Sequence, residues 1–137
     1  MADVIRTAQY FKVQIADTSG TLAHLLAPLH EAGVNLLAAH AFPRKRRTQV
    51  DLVPEDLTTF KNTVKLLKWK IKGPQTCFLV EGDDRPGAVA DLAGQLKSAN
   101  INITAVTAKA AGRGRFGAIL WVKPRDVKKA AKLFGIA

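Results

Sequence analysis

The residues best suited to bind a small charged molecule lie in one turn and at the start of a nearby strand. The turn reads Asp84-Arg85-Pro86-Gly87-Ala88-Val89, and Asn102 follows within Asn100-Ile101-Asn102-Ile103. The turn opens a predicted helix, whose first N–H groups and dipole favour a carboxylate, and Gly87 leaves the backbone accessible. Asp84 can pair with an ammonium group, and Asn102 can donate and accept hydrogen bonds. Together they suit an α-amino acid, although helix capping by Asp84 and loop closure by Asn102 remain an alternative.

The other reactive side chains do not form a catalytic or metal-binding set. His24 and His30 are six residues apart on one predicted helix, which places them on different faces. Cys77 lies in an apolar strand, which favours a core position over a nucleophile. The pair Asp83-Asp84 lacks the further spaced ligands of a calcium loop, and the sequence has neither a Gly-x-Ser-x-Gly elbow nor a phosphate-binding glycine loop. We therefore expect no catalysis, no metal and no cofactor.

The composition is that of a folded but strongly basic protein. The 137 residues include 21 Lys or Arg against 11 Asp or Glu, a net charge of +10, and 47% are hydrophobic. The densest run, Arg44-Lys45-Arg46-Arg47, supports an alternative function, contact with nucleic acid or an acidic partner through this hairpin. The predicted third strands lack the glycine-aromatic pattern by which RRM domains bind RNA, so nucleic acid is not the favoured partner.

The chain repeats itself at an offset of 67 residues. Between Phe11 and Ala41 the register needs no gap and gives 11 identities in 31 positions. The identities include the turn residues and the asparagine: Asp17 matches Asp84, Gly20 matches Gly87, and Asn35 matches Asn102. The sequence therefore predicts two copies of one module, residues 1–73 and 74–137.

Hydrophobic periodicity predicts the elements of each module. Tyr10 to Ala16 alternates as a strand does, and Leu22, Leu25, Leu26 and Leu29 form one face of a helix. Two more strands, a second helix and a closing strand at Trp69 to Lys72 complete the first module. The second module repeats this order but stops soon after its last helix, so its last strand is missing or supplied from elsewhere. The order βαββαβ predicts an α+β fold, two ferredoxin-like modules with antiparallel sheets and helices on one face.

The element order, the turn and the Ala-Asn-Ile-Asn-Ile entry to strand two resemble the ACT domain family. The resemblance covers nearly the whole chain as two tandem modules. The first module departs from the pattern, with Asp17-Thr18-Ser19-Gly20-Thr21-Leu22 and no proline, but keeps Ala32-Gly33-Val34-Asn35-Leu36. The resemblance implies a regulatory protein that binds an amino acid or related small metabolite at the interface between paired modules.

The resemblance also implies which residues bind the ligand. They lie in the strand-to-helix turn and at the start of strand two: Asp84, Arg85, Pro86, Gly87, Ala88 and Asn102, with the quasi-equivalent Asp17, Ser19, Gly20, Thr21 and Asn35. ACT modules usually regulate an attached enzyme or DNA-binding domain. Since this chain has neither, we expect a free-standing sensor, a subunit that regulates a partner enzyme in trans, or an interaction module. We also expect a homodimer. No secretory signal or membrane span is recognisable, which predicts a cytoplasmic protein.

Overall fold

A computed structural model describes residues 3–136 of the chain. The elements are, in order, β1 (Val4–Ala16), α1 (Thr21–Glu31), β2 (Leu36–Arg44), β3 (Arg47–Pro54), α2 (Leu57–Leu67), β4 (Lys72–Asp83), α3 (Ala88–Ser98), β5 (Ile103–Gly112), β6 (Arg115–Val122) and α4 (Val127–Leu133). A 3-10 turn, Pro124–Asp126, precedes α4. No helix within residues 3–136 is both long and apolar enough to cross a membrane.

The chain folds as two compact units. The first unit comprises Gln9–Gln75, and the second comprises the residues up to Ala8 together with those from Thr76 onward. Strands β1 and β4 each begin in one unit and end in the other. The first unit has the order βαββαβ, and the second has β4, α3, β5, β6 and α4 together with the start of β1. The strand pairs are antiparallel, which confirms the predicted α+β fold. The predicted division of the repeat after residue 73 stays a prediction.

In the first unit, β3 pairs with both β1 and β2, so alternate residues of these strands face the helices. Phe11 lies opposite Leu52, and Val13 lies opposite Val50. These four side chains pack with Leu25 and Leu29 of α1 and Phe60 and Val64 of α2 into one buried core. The apolar face that the leucine spacing predicts for α1 is therefore the face that packs against the sheet.

The second unit has the same arrangement, with a fourth strand that comes from the start of the chain. Strand β6 pairs with β4 and β5, and Phe78 lies opposite Leu120. Ile5, in the first part of β1, packs against the buried cores formed with α3 and α4. The last strand, which the sequence left missing or supplied from elsewhere, is thus residues 4–8.

The ends of α1 and α3 and the start of β4 are set by local backbone conformation. Gly33 (φ 76°) and Asn100 (φ 58°) adopt the left-handed conformation that commonly ends a helix. Helix α1 continues through Pro28 to Glu31. The strand predicted at Trp69 to Lys72 begins instead at Lys72 and continues without a break to Asp83, so the closing strand of the first repeat and the opening strand of the second are one strand.

Candidate functional site: the strand-to-helix turns and their clefts

The turn of the second unit is fixed from both sides. The backbone N–H of Asp84 donates to the carbonyl of Gly114 at 2.8 Å. Next to it, the Arg115 guanidinium donates to the Asp83 carboxylate at 2.8 Å, and the two residues are partners in the β4–β6 pairing. The β5–β6 hairpin therefore holds the end of β4, and with it the start of the turn, in place.

Gly87 makes the transition from turn to helix. It is the N-cap of α3 and has φ 84°, a left-handed conformation that costs glycine little and other residues more. No side chain caps this helix end. The structural role considered for Asp84, capping α3, is therefore not what this carboxylate does.

A cleft of about 370 Å³ lies beside this turn. Four predicted site residues line it: Asp84, Arg85, Gly87 and Ala88. Its opposite wall is formed by Ala108, Lys109 and Ala110 of β5 and by Phe116 of β6. The turn residues predicted from sequence thus share one small cavity with the far end of β5.

Lys109 is the residue of this cleft that the sequence reasoning missed. Its Nζ lies 3.2 Å from the carbonyl oxygen of Ala110, and the side chain is exposed. Asp84, Lys109 and the first residues of α3 therefore line the same cleft. A carboxylate, an ammonium group and the positive end of a helix dipole can together hold a molecule that carries both an ammonium and a carboxylate.

Two predicted residues of the second unit lie outside this cleft. Pro86 is exposed and does not line it. Asn102 precedes β5, whose first residue Ile103 pairs with Val122, whereas the cleft contains the other end of the strand, around Ala108. Ala108 is six positions further along the extended chain than Asn102, a span of about 20 Å. Within the unit, the structure does not bring Asn102 to Asp84.

The turn of the first unit is held by different contacts. Asp17 accepts a hydrogen bond of 3.1 Å from the Thr48 hydroxyl, and the Thr21 hydroxyl donates to the carbonyls of Ala16 (2.7 Å) and Thr18 (2.8 Å). Gly20, at φ 85°, is the N-cap of α1. The equivalent asparagine, Asn35, donates to Glu55 at 3.2 Å at the opposite end of β2. Here too, the turn and the asparagine are apart.

The first unit has a larger cleft on its helical side, with a volume of about 620 Å³. Three predicted site residues, Ser19, Gly20 and Thr21, form its edge. The rest of the lining comes from the end of β1, from α1, and from the segment after α2: Ile15, Ala16, His24, Leu25, Pro28, Leu67 and Trp69. Asp17 does not line this cleft.

The second unit has a cleft in the corresponding place, with a volume of about 570 Å³. It is rich in charged and polar groups, among them Asp3, Arg85, Asp91 and Gln95. Arg85 donates to Asp91 at 2.7 Å and lies 4.0 Å from Asp3. The predicted site residue Arg85 is therefore part of an ion-pair network and borders both clefts of its unit.

No group of three or more His, Cys, Asp or Glu side chains in residues 3–136 is arranged to hold a metal ion. Cys77 is fully buried. The four residues Arg44–Arg47 form the tip of the β2–β3 hairpin and are exposed. Arg44 donates to Gln49 at 2.9 Å, and Arg47 donates to the Gln14 carbonyl at 3.4 Å.

Comparison with known proteins places the fold. No family model and no curated protein matches the chain. Among solved structures, protein BT0572 from Bacteroides thetaiotaomicron is similar over 96% of this chain and 88% of its own, with a TM-score of 0.82 and 14% identity. A structure of aspartokinase alpha and beta subunits is similar over 99% of both chains (TM-score 0.64, 15% identity).

The regulatory subunit of aspartate kinase from Thermus thermophilus is similar over 97% of this chain and 94% of its own, with a TM-score of 0.64 and 17% identity. These likenesses cover both units of this chain. The chain therefore shares its fold with these solved structures, in agreement with the fold that its sequence resemblance implies.

Proposed function

We propose that the protein is a non-catalytic regulator that binds an amino acid or a related small metabolite at its strand-to-helix turns. The observation that carries this proposal is the 370 Å³ cleft that Asp84, the start of α3 and Lys109 all line. An α-ammonium group would pair with the Asp84 carboxylate. The α-carboxylate would face Lys109 and the first N–H groups of α3.

Two features support a regulatory role. The fold is shared with the regulatory subunit of aspartate kinase from Thermus thermophilus. The clefts have room for a small ligand, and groups of opposite charge lie beside one of them. The ligand would act by linkage: it favours one arrangement of chains, and a partner enzyme in the cytoplasm recognises that arrangement.

In this proposal, the asparagines can contact the ligand only when a second copy of the chain is present. Asn102 lies about 20 Å along β5 from the turn of its own unit. In a homodimer, Asn102 of one copy would reach the ligand held by the turn of the other copy. Asn102→Ala would then weaken ligand binding without unfolding the protein, because the side chain is exposed.

A thermal-shift and calorimetry panel of the twenty amino acids at millimolar concentration tests the function. A ligand at 100 times its dissociation constant stabilises the folded protein by about 2.7 kcal/mol. We expect Asp84→Asn and Lys109→Gln each to reduce the response. Glu81→Gln and Lys128→Gln are matched controls, since both residues are exposed and neither lines the cleft. No response to any amino acid, or equal loss in the controls, would contradict the proposal.

A second candidate function rests on the exposed hairpin Arg44–Arg47. The ion pairs found among the described residues involve none of these four side chains. We propose that this hairpin can contact a nucleic acid or an acidic protein surface through its unneutralised charge.

A further inference from the structure

The clefts on the helical sides of the two units occupy corresponding positions but differ in chemistry. At the 67-residue offset, His24 of the first unit corresponds to Asp91 of the second, and Pro28 corresponds to Gln95. All four residues line their respective clefts. One unit therefore presents an imidazole and a proline ring where the other presents a carboxylate and an amide.

The opposite walls of the two clefts also differ, and again the more polar residue belongs to the second unit. Ile71 packs on the core of the first unit and Ile5 on that of the second, so these residues occupy equivalent places. Two residues before each of them stands a cleft-lining residue, Trp69 in the first unit and Asp3 in the second. An aromatic ring in the first unit thus replaces a carboxylate that lies 4.0 Å from Arg85 in the second.

One edge of the first-unit cleft is polar. Ser19, Gly20 and Thr21 provide this edge, and Thr21 uses its hydroxyl on the Ala16 and Thr18 carbonyls. The rest of the lining is His24 and a larger group of apolar residues, among them Ile15, Leu25, Pro28, Leu67 and Trp69. Leu67 is 37% exposed and Trp69 is half-buried, so apolar surface of both remains open to solvent.

We propose that the first-unit cleft binds the side chain of a large apolar amino acid, of the leucine, methionine or phenylalanine class. This inference rests on the proposed function and names its ligand class for the first unit. The α-ammonium and α-carboxylate groups stay at the polar edge, Ser19–Thr21, and the side chain lies between Pro28 and Trp69. A ligand with a charged side chain is disfavoured here because the lining is mostly apolar, and His24 is the one ionisable side chain among the described residues that form it.

Trp69 provides a direct readout of this cleft. The chain has two tryptophans, and the second, Trp121, is 5% exposed in the second unit. In a Trp121→Phe background, leucine and methionine should change the Trp69 emission saturably, with affinities about tenfold or more above that of alanine. Aspartate, lysine and serine should leave it unchanged. A Trp69→Phe protein, which retains Trp121, should show no ligand-dependent change, and it replaces the first variant if that variant does not fold.

A charge placed in the cleft tests specificity. His24→Asp introduces the residue found in the second unit, and we expect it to weaken leucine binding about tenfold or more. His30→Asp is the matched control, because His30 lies on the same helix, is exposed and does not line the cleft. Unchanged leucine affinity in His24→Asp, or equal loss in both variants, would overturn the proposal.

The two proposals fail in different ways. If an amino acid stabilises the protein through Asp84 and Lys109 while Trp69 emission stays constant, the proposed function stands and the apolar cleft is overturned. If no amino acid stabilises the protein and none changes Trp69 emission, both are overturned. A saturable Trp69 response to leucine that Asp84→Asn leaves intact supports the first-unit cleft as an independent site.

Discussion

Arg115 holds Asp83 at the end of β4 with a hydrogen bond of 2.8 Å, one residue before the proposed ligand-binding turn. This hydrogen bond lowers the pKa of the Asp83 carboxyl below its usual value. The first unit has Ala16 and Arg47 as the partners in this place, so it has no such pair. The contact is a feature of the second turn, and it links the position of Asp84 to the β5–β6 hairpin.

The Arg115–Asp83 pair predicts a specific acid response. Because the folded-state pKa of Asp83 is depressed, the pair stabilises the fold above the unfolded-state pKa of about 3.9 and is lost as pH falls through the folded value. Arg115→Met should remove this contribution, so the urea midpoint of the variant should fall less steeply between pH 4 and pH 2 than that of the unchanged protein. If the urea midpoints of the two proteins fell equally with pH, the Arg115–Asp83 pair would not contribute to the acid response.

Residues 4–8 should matter to the second unit and not to the first. Ile5→Ala removes a side chain that packs on the second core, and we expect a loss of about 2 kcal/mol. Val4→Ala is the control, since Val4 is 59% exposed and should change stability by less than about 0.5 kcal/mol. Urea unfolding followed by Trp121 emission measures the second unit, and an unaltered midpoint in Ile5→Ala would exclude this strand from its core.

Gly82 should not tolerate a side chain. A Cβ atom there would meet the Asp3 carboxylate and lie 2.6 Å from Cε1 of Phe116. We expect Gly82→Ala to cost about 1–3 kcal/mol through overpacking. At Gly117 the nearest atom would be the Val80 carbonyl oxygen at 3.8 Å, an ordinary contact, so Gly117→Ala should leave stability unchanged or raise it slightly. Denaturant titration of both variants compares them, and equal effects would contradict the proximity of Asp3 to Gly82.

The basic hairpin can be tested by its salt dependence. If Lys45 and Arg46 each contact one phosphate of a single strand, log K should fall with log salt, and replacing both with glutamine should reduce the slope by about 1.4. Lys128→Gln with Lys129→Gln removes the same charge from an exposed helix and should leave the contribution of the hairpin intact. Absence of binding to RNA and DNA oligonucleotides at low salt would remove the nucleic-acid candidate.

Much of the fold could be predicted because its determinants are local. The leucine spacing of α1 and the left-handed Gly33 and Asn100 depend on nearby residues alone. The role of residues 4–8 could not be predicted in this way. Ile5 is half-buried by side chains that lie more than seventy positions later in the chain, and Val4 beside it is exposed.

The sequence predicts the turn residues of the candidate site, but it does not predict which other residues lie close to that turn. Asp84 and Gly87 could be identified because their chemistry and their place before a helix are visible in the sequence. Lys109 could not, since it reaches the turn only through the register that sets Lys109 opposite Gly117. Asn102 was grouped with Asp84 by the repeat, but a strand of about 20 Å lies between them along β5.

The first unit is an insertion within the sequence of the second, and this sets an order of events during translation. Residues 4–8 emerge from the ribosome before the first unit, whereas their core partners in α3 and α4 emerge only after it. At 5–20 residues per second, the roughly sixty residues that follow Gln75 take about 3–12 seconds to synthesise. During that interval, the short strand that contains Val4 and the apolar Ile5 has no core to pack against. The nascent chain is then most open to pairing with a strand of another chain.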